Sequence, residues 1–331
     1  MEVVNDIKDI GKDRWDAFVE KHPQGTVFQT YEMFEVYQNA SHNQPIAVAV
    51  LEKGRVLGVM LAVLMWNGNA ITKFFTARSI IIGGPLVLDN DEAVLKLLLR
   101  GYRKTLPLCT IYSEMRPIYC MDSMGAFLKE EGFKRKGHYN MVLCLKPELE
   151  ELFATMHKKR RREIKKSIEF GLQFEEIFTQ KEKEDAVKLV KQTYKRKRVP
   201  LSFSEMLTKM SDFFGNSARY FGAFYEGRMI ASKIDLCYGN LVYAWFAGSD
   251  EKAFSYYPND FLMWKLIGWA KENGYEYLDF GGGGEPGVPY GVRDYKLKYG
   301  CQMFDYGRYQ YFHRPLMYKI GEFGANLMIK K

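Results

Sequence analysis

Cysteine is scarce in this chain and poorly spaced for chemistry. The 331 residues hold five (Cys109, Cys120, Cys144, Cys237, Cys301), an odd number with no Cys-x-x-Cys pair. That excludes a disulfide framework and a thiolate zinc cage, and it suits reduced thiols in a cytosol. The five histidines (His22, His42, His138, His157, His313) show no metal-ligand spacing, and none lies near a cysteine. Metal and covalent cysteine catalysis are therefore not expected. No stretch supplies the ~20 uncharged apolar residues that span a bilayer; the best, 46–66, is broken by Glu52, Lys53 and Arg55. The N-terminus opens on Glu2, Asp6 and Asp9, where a leader peptide would carry basic residues and an apolar run. No Gly-Lys-Ser/Thr occurs, so there is no P-loop. Gly282, Gly284 and Gly287 meet a dinucleotide spacing, but Pro286 and Pro289 stand where a helix would have to begin. These absences lead us to expect a soluble, cytoplasmic chain that needs neither metal nor cofactor.

What is present points to a folded protein with an anionic ligand. Apolar residues make up 47% of the chain, which excludes wholesale disorder, and 22 Tyr and 23 Phe suit a strand-rich protein with an aromatic-lined groove. The length suits two domains of roughly 150–170 residues. The net charge of +8 is concentrated. The run 157–166 (HKKRRREIKK) carries +6 and 195–198 (KRKR) carries +4, so the rest of the chain is net −2. A solvated helix face is the plain reading of either run alone. Two such runs within forty residues favour phosphate binding, whether on nucleic acid, a nucleotide-sugar diphosphate or anionic lipid.

Periodicity gives an α/β chain of alternating helices and strands. In the first half, a helix is expected over 29–39, a hairpin over 46–65, a helix over 91–104, and strands over 110–115 and 139–145. The second half opens on a long basic helix over 150–170 and a helix over 184–197. A three-stranded meander follows over 219–247, then a helix over 259–272, a strand over 275–280, a short helix over 293–299 and a final strand over 302–312. The order repeats. Glu52–Gly58 (EKGRVLG) is similar to Tyr225–Ala231 (YEGRMIA), and Gly132 corresponds to Gly300, 168 residues on. Two copies of one α/β domain follow, 1–148 and 149–331.

The hairpin, helix, strand, helix order resembles the acyl-CoA N-acyltransferase (GNAT) fold. Its diphosphate-binding turn, Gln/Arg-x-x-Gly-x-Gly/Ala, is absent; Arg55–Met60 and Arg219–Phe224 come nearest and miss the last position. The densest cluster of polar, glycine and aromatic residues is Tyr277–Tyr311. There a strand ends at Asp279-Phe280-Gly281-Gly282, followed by Tyr295-Lys296-Leu297-Lys298-Tyr299-Gly300. With Phe28-Gln29-Thr30 and the basic helix ending Ile164-Lys165-Lys166, these segments resemble the FemABX peptidyltransferases. Those enzymes use aminoacyl-tRNA to add amino acids to peptidoglycan precursors, and their late motif is Asp-Phe/Leu-Gly-Gly followed by Phe-Lys-x-x-Phe-Gly. No heptad run long enough for the coiled-coil arm of some members occurs, and both motif aromatics are Tyr here.

The resemblance implies two tandem GNAT-like domains and aminolysis of an aminoacyl ester, with aminoacyl-tRNA and a peptidoglycan-precursor peptide as partners. It implies Lys296 as the donor that stabilises the oxyanion and Asp279 as a group that orients the amine or takes its proton. Gly282, Gly283, Arg293 and Tyr299 fall in the same segment as substrate contacts, and Tyr194 and Arg198 are candidate ligands of a diphosphate or peptide. The tRNA backbone is assigned to Lys158, Lys159, Arg160, Arg161, Arg162, Lys165 and Lys166. Two other readings stay open: a CoA-dependent N-acyltransferase, and a non-catalytic nucleic-acid or glycan-binding module. The segment 315–331, with Leu316, Ile320, Phe323 and Leu327 on one helical face, either docks on its own domain or rests on a membrane.

Overall fold

Two hairpins set the frame. In the computed structural model, which describes residues 1–201 and 203–321, Lys53-Gly54 (φ 48° and 79°) and Glu226-Gly227 (φ 50° and 72°) each turn the chain with two left-handed residues. That conformation matches the natural strand twist and calls for glycine at its second position. Beyond each turn the ladder skips one residue: Leu57 between the pairs Val50–Gly58 and Leu51–Val56, and Ile230 between Ala223–Ala231 and Phe224–Met229. The repeat seen in sequence therefore extends to the bulge.

The first compact unit comprises residues up to His138 together with the segment that begins at Tyr306. Its elements are β1 (Glu2–Val4), α1 (Ile7–Ile10), α2 (Lys12–Lys21), α3 (Tyr31–Asn39), β2 (Asn43–Glu52), β3 (Arg55–Met65), α4 (Ala70–Thr76), β4 (Arg78–Ile82), β5 (Leu86–Val87), α5 (Glu92–Thr105), β6 (Tyr112–Arg116), α6 (Asp122–Glu130) and β7 (Lys134–Lys136). The second unit, Tyr139–Asp305, comprises β8 (Tyr139–Cys144), α7 (Leu149–Thr155), α8 (Lys158–Glu169), β9 (Gln173–Glu176), α9 (Gln180–Arg196), α10 (Met210–Phe214), β10 (Ala218–Tyr225), β11 (Arg228–Tyr238), β12 (Leu241–Ser249), α11 (Pro258–Glu272), β13 (Tyr277–Gly284), α12 (Gly291–Leu297) and β14 (Gln302–Asp305). The last strand, β15 (Arg308–Phe312), belongs to the first unit, where it runs between β6 and β7 in the order β1-β2-β3-β4-β6-β15-β7. In the second unit β8 takes the matching place, in the order β14-β8-β13-β12-β11-β10-β9. Both sheets are mixed, as the α/β reading requires.

This division differs from the linear split at 148/149. The chain passes into the second unit at 138/139 and returns at 305/306. The single strand expected over 302–312 is accordingly two, separated by Gly307 at φ 70°. The basic helix expected over 150–170 is also broken. Met156 and His157 are extended, and the His157 ring accepts from Lys159 N at 3.2 Å, which caps α8 as a separate helix. The terminal helix is described only over 315–321, and the rest of that expectation lies outside the described residues.

In the first unit α5 covers the sheet with Val94, Leu95, Leu98, Leu99 and Tyr102 buried against Val48, Val50, Met60 and Ala62. In the second unit α11 does the same with Phe261, Leu262, Leu266, Ile267 and Ala270 against Ala231, Cys237, Val242 and Leu278. Burying one Leu or Phe side chain stabilises by ~1.5–3 kcal/mol, so each helix is held by tertiary packing more than by its own propensity. No helix among the described residues is long and apolar enough to cross a membrane.

Candidate active site

The two sheets differ where their parallel strands meet. In the first unit β4 and β6 pair along their whole length, from Arg78–Tyr112 to Ile82–Arg116. In the second, β12 and β13 pair only from Leu241–Tyr277 to Tyr243–Asp279, although both strands continue, to Ser249 and Gly284. Trp245 is a bulge residue in β12, where the register steps from the pair Asp235–Ala244 to Ile234–Phe246. A bulge bends its strand, while β13 stays with β8 through Gly282–Asn140 and Gly284–Tyr139. The strands therefore part just beyond Tyr243 and Asp279, and the glycine segment of β13 borders the opening.

Lys296 reaches this point from α12. Its Nζ donates to the Gly282 carbonyl at 2.7 Å. Burial pushes the ammonium down to about 8, with Asp279 opposing the fall and Lys233 adding to it. Asp279 is buried, accepts from Gly281 N at 2.6 Å and from Asn140 Nδ2 at 3.4 Å, and is pushed up to about 6 by burial against those bonds and Lys296. Two glycines make the close approach feasible. A Cβ on Gly281 (φ 74°) would lie 3.3 Å from Tyr243 Oη and 3.9 Å from Lys296 Nζ, and one on Gly283 would lie 2.7 Å from Met141 Sδ. Arg293 staples the loop, its Nη1 donating to the carbonyls of Gly283 (3.3 Å) and Glu285 (2.9 Å).

Beneath α12 lies a polar network that sequence reasoning did not assemble. Arg160 of α8 donates to Glu163 (2.8 Å) and to Asp260 of α11, and its guanidinium lies 4.5 Å from the Tyr295 ring centroid and 5.7 Å from that of Tyr299. Tyr299 Oη donates to Asp260 at 2.6 Å, and the two tyrosine hydroxyls are 2.8 Å apart. His157 N donates to the Lys298 carbonyl at 2.9 Å, joining the start of α8 to the end of α12. The two tyrosines that stand in place of phenylalanine are thus explained, because their hydroxyls serve this network.

The expected site residues separate accordingly. Lys296, Asp279, Gly282, Gly283 and Arg293 come together. Tyr299 is fully buried, so it supports α12 from below and is not a surface for substrate. Arg160 leaves the basic stripe for the interior, because Glu163 and Asp260 take its charge. Lys158, Lys159, Arg162, Lys165 and Lys166 remain exposed and Arg161 is half-buried. Tyr194 is half-buried, 6.0 Å from Phe246 on the parted stretch of β12, and Arg198 is exposed.

Lys233 and Asp235, buried 3.2 Å apart on β11, were not singled out. Burial pushes Asp235 up to about 6 although Lys233 opposes it. Their signal was the charged alternation Lys-Ile-Asp inside an otherwise apolar strand.

Residues 154–297 match the acetyltransferase (GNAT) domain family, a span that takes in α8, the parted strands and Lys296. No curated protein sequence matches the chain. Over 97% of its length it superposes on the crystal structure of FemX, covering 99% of that chain, with a TM-score of 0.75 and 16% identity. The chain has a FemX-like tandem GNAT fold. The same fold relates it to a tandem GNAT protein from the clavulanic acid biosynthesis pathway (TM-score 0.57, 13% identity, 94% of this chain and 98% of that one). It also relates it to L-PGS from Bacillus licheniformis (TM-score 0.58, 14% identity, 91% of each). The domain match supports an acyltransferase, and the likeness to FemX shows the fold.

Proposed function

We propose that this chain is a non-ribosomal aminoacyltransferase that moves an amino acid from aminoacyl-tRNA to the amine of a peptidoglycan-precursor peptide, either UDP-linked or lipid-linked. The observation that carries the reading is the position of Lys296, a partly buried ammonium at the point where β12 and β13 separate. The acceptor amine attacks the ester carbonyl carbon, and negative charge gathers on the carbonyl oxygen. The C–O bond to the ribose then breaks, and the proton lost by the amine balances the one gained by the ribose oxygen. Lys296 donates to the oxyanion; such a donor contributes about 2.7–4 kcal/mol to transition-state stabilisation. Asp279, already holding Gly281 N, acts on Lys296 by favouring its charged form. The exposed cations of α8 take the tRNA phosphates.

A tRNA donor fits better than CoA for a further reason. A diphosphate needs free N–H groups, as at a helix N-terminus. The α-helix that follows β12 begins at Pro258, which has no N–H, so one of the donors of that helix end is missing.

The test is transfer of labelled amino acids from a charged tRNA pool onto UDP-MurNAc-pentapeptide and its lipid-linked form, with acetyl-CoA as rival donor. Transfer from tRNA that falls at least 100-fold in Lys296→Ala supports the proposal. Transfer from CoA alone, or equal rates in both proteins, refutes it.

A further inference from the structure

Three segments of the first unit, distant in sequence, meet at one end of its sheet. Ile111 N donates to the Ala77 carbonyl at 2.9 Å, and His313 N and Arg314 N both donate to the Ile111 carbonyl at 3.0 Å. Arg314 Nη1 donates to the Phe74 carbonyl at 2.9 Å, with the guanidinium 4.1 Å from the Phe74 ring centroid. Helix α4, the loop before β6 and the helical stretch 315–321 are therefore neighbours. Together they expose Ile71, Phe74, Phe75, Leu108, Leu316 and Ile320, each between 48% and 96% accessible. Single exposed hydrophobics are ordinary, but a cluster of this kind marks an interaction surface.

Charge identifies the partner. Residues 66–79, 106–111 and 313–321 contain Lys73, Arg78, Arg314 and Lys319 and not one Asp or Glu. The whole chain has 40 acidic residues in 331, so a stretch of this length would ordinarily hold about three. Leu316 and Ile320 are one helical turn apart with Lys319 beside them, and Lys73 lies 4.0 Å from the Trp66 ring centroid. A second copy docked face to face would set these cations against their own equivalents with no acid to meet them. A surface that is apolar inside and negative at its boundary satisfies both properties.

We propose that this end of the first unit docks on an anionic lipid bilayer, with Ile71, Phe74, Phe75, Leu108, Leu316 and Ile320 entering the headgroup boundary and Lys73, Arg314 and Lys319 held at the phosphates. The inference does not depend on the reaction proposed above.

The test is co-sedimentation of the full chain with vesicles of phosphatidylglycerol and phosphatidylcholine, and with vesicles of phosphatidylcholine alone. Binding to the anionic vesicles should exceed binding to the neutral ones at least tenfold and collapse in 0.5 M salt. Two double variants, Phe74→Ser/Phe75→Ser and Lys73→Glu/Lys319→Glu, should each weaken it at least fivefold, with unchanged circular dichroism. Phe178→Ser, an exposed phenylalanine of the second unit, should not weaken it. Equal binding to both vesicle types, no binding, or double variants that bind like the wild type would overturn the proposal. So would a dimer in solution that Phe74→Ser/Phe75→Ser disperses.

Discussion

Arg160→Ala is the sharpest test of the network beneath Lys296. The Arg160, Glu163 and Asp260 side chains are only 11%, 7% and 8% exposed. The guanidinium is the cation that answers both carboxylates at close range, besides lying against two tyrosine rings. Without it, Asp260 keeps one tyrosine hydroxyl, and Glu163 is left to Lys159 at 3.8 Å, whose side chain is half in solvent. Removing one partner from a buried ion pair typically costs 3–5 kcal/mol, so we expect a loss of ~3–5 kcal/mol in urea unfolding. Arg162→Ala, on the exposed face of the same helix, should stay within ~0.5 kcal/mol of wild type. The pH dependence has a definite sign. Burial already raises Asp260, with Tyr299 and Arg160 opposing, and removing Arg160 raises it further. A carboxyl whose folded-state value is raised costs stability where it must ionise, so the variant's deficit should shrink as the pH falls. Replacing all three charges together, as Arg160→Met, Glu163→Leu and Asp260→Leu, should recover much of the loss. Equal stability of Arg160→Ala and Arg162→Ala, or a deficit that grows toward acid, would refute the reasoning.

Other outcomes follow from single contacts. If Lys296 acts as a charged donor, kcat/KM for transfer should fall as the pH rises through about 8, and a profile flat to pH 10 would remove Lys296 from that role. Gly248→Ala should destabilise by more than ~3 kcal/mol in thermal unfolding, because its Cβ would sit 2.2 Å from Val190 N and 2.3 Å from Leu189 C, both backbone atoms that cannot turn aside. Glu114 is buried, yet Arg116, Arg308 and Gln310 hold its carboxyl below the usual range. Its contribution is present above that range and lost as pH falls, so Glu114→Gln should flatten the acid limb of a stability profile. Charge reversal at Lys158, Arg162 and Lys166 should weaken tRNA binding and reduce its salt dependence, measured by filter binding at 50 and 200 mM salt.

Much of this architecture was legible because local chemistry and fold agree. Lys53-Gly54 and Glu226-Gly227 announce their hairpins, and Gly132 and Gly300 end their helices in the left-handed region the sequence reserved for them. The cluster of Asp279, Gly282, Gly283, Arg293 and Lys296 was also readable, since all five lie within one short segment. What escaped notice depends on partners far away in sequence. Nothing near Arg160 reveals Asp260, one hundred residues on, so a buried guanidinium read as one more cation in a basic run. Tyr299, three positions from Lys296, read as a substrate contact, whereas α12 stops at Leu297 and the tyrosine turns inward. The strand expected over 139–145 is β8, but its sheet was not legible, because alternation reports which face is buried and says nothing of which edge it joins.

That exchange of strands sets the timetable of folding. Strand β7 pairs only with β15 among the described strands, and β15 follows it by more than 170 residues. At roughly 5–20 residues per second, a nascent chain would wait on the order of 9–35 s between making β7 and receiving the strand that seats it. Through that interval β6 offers an open edge, and for most of it β8 stands ready without β13. Either half released early would be a sheet with a vacancy and a spare strand, which is the starting material of aggregation. Chains ended after residue 148, or begun there, should therefore be recovered mainly as insoluble protein, while co-expression of the two halves should restore soluble material.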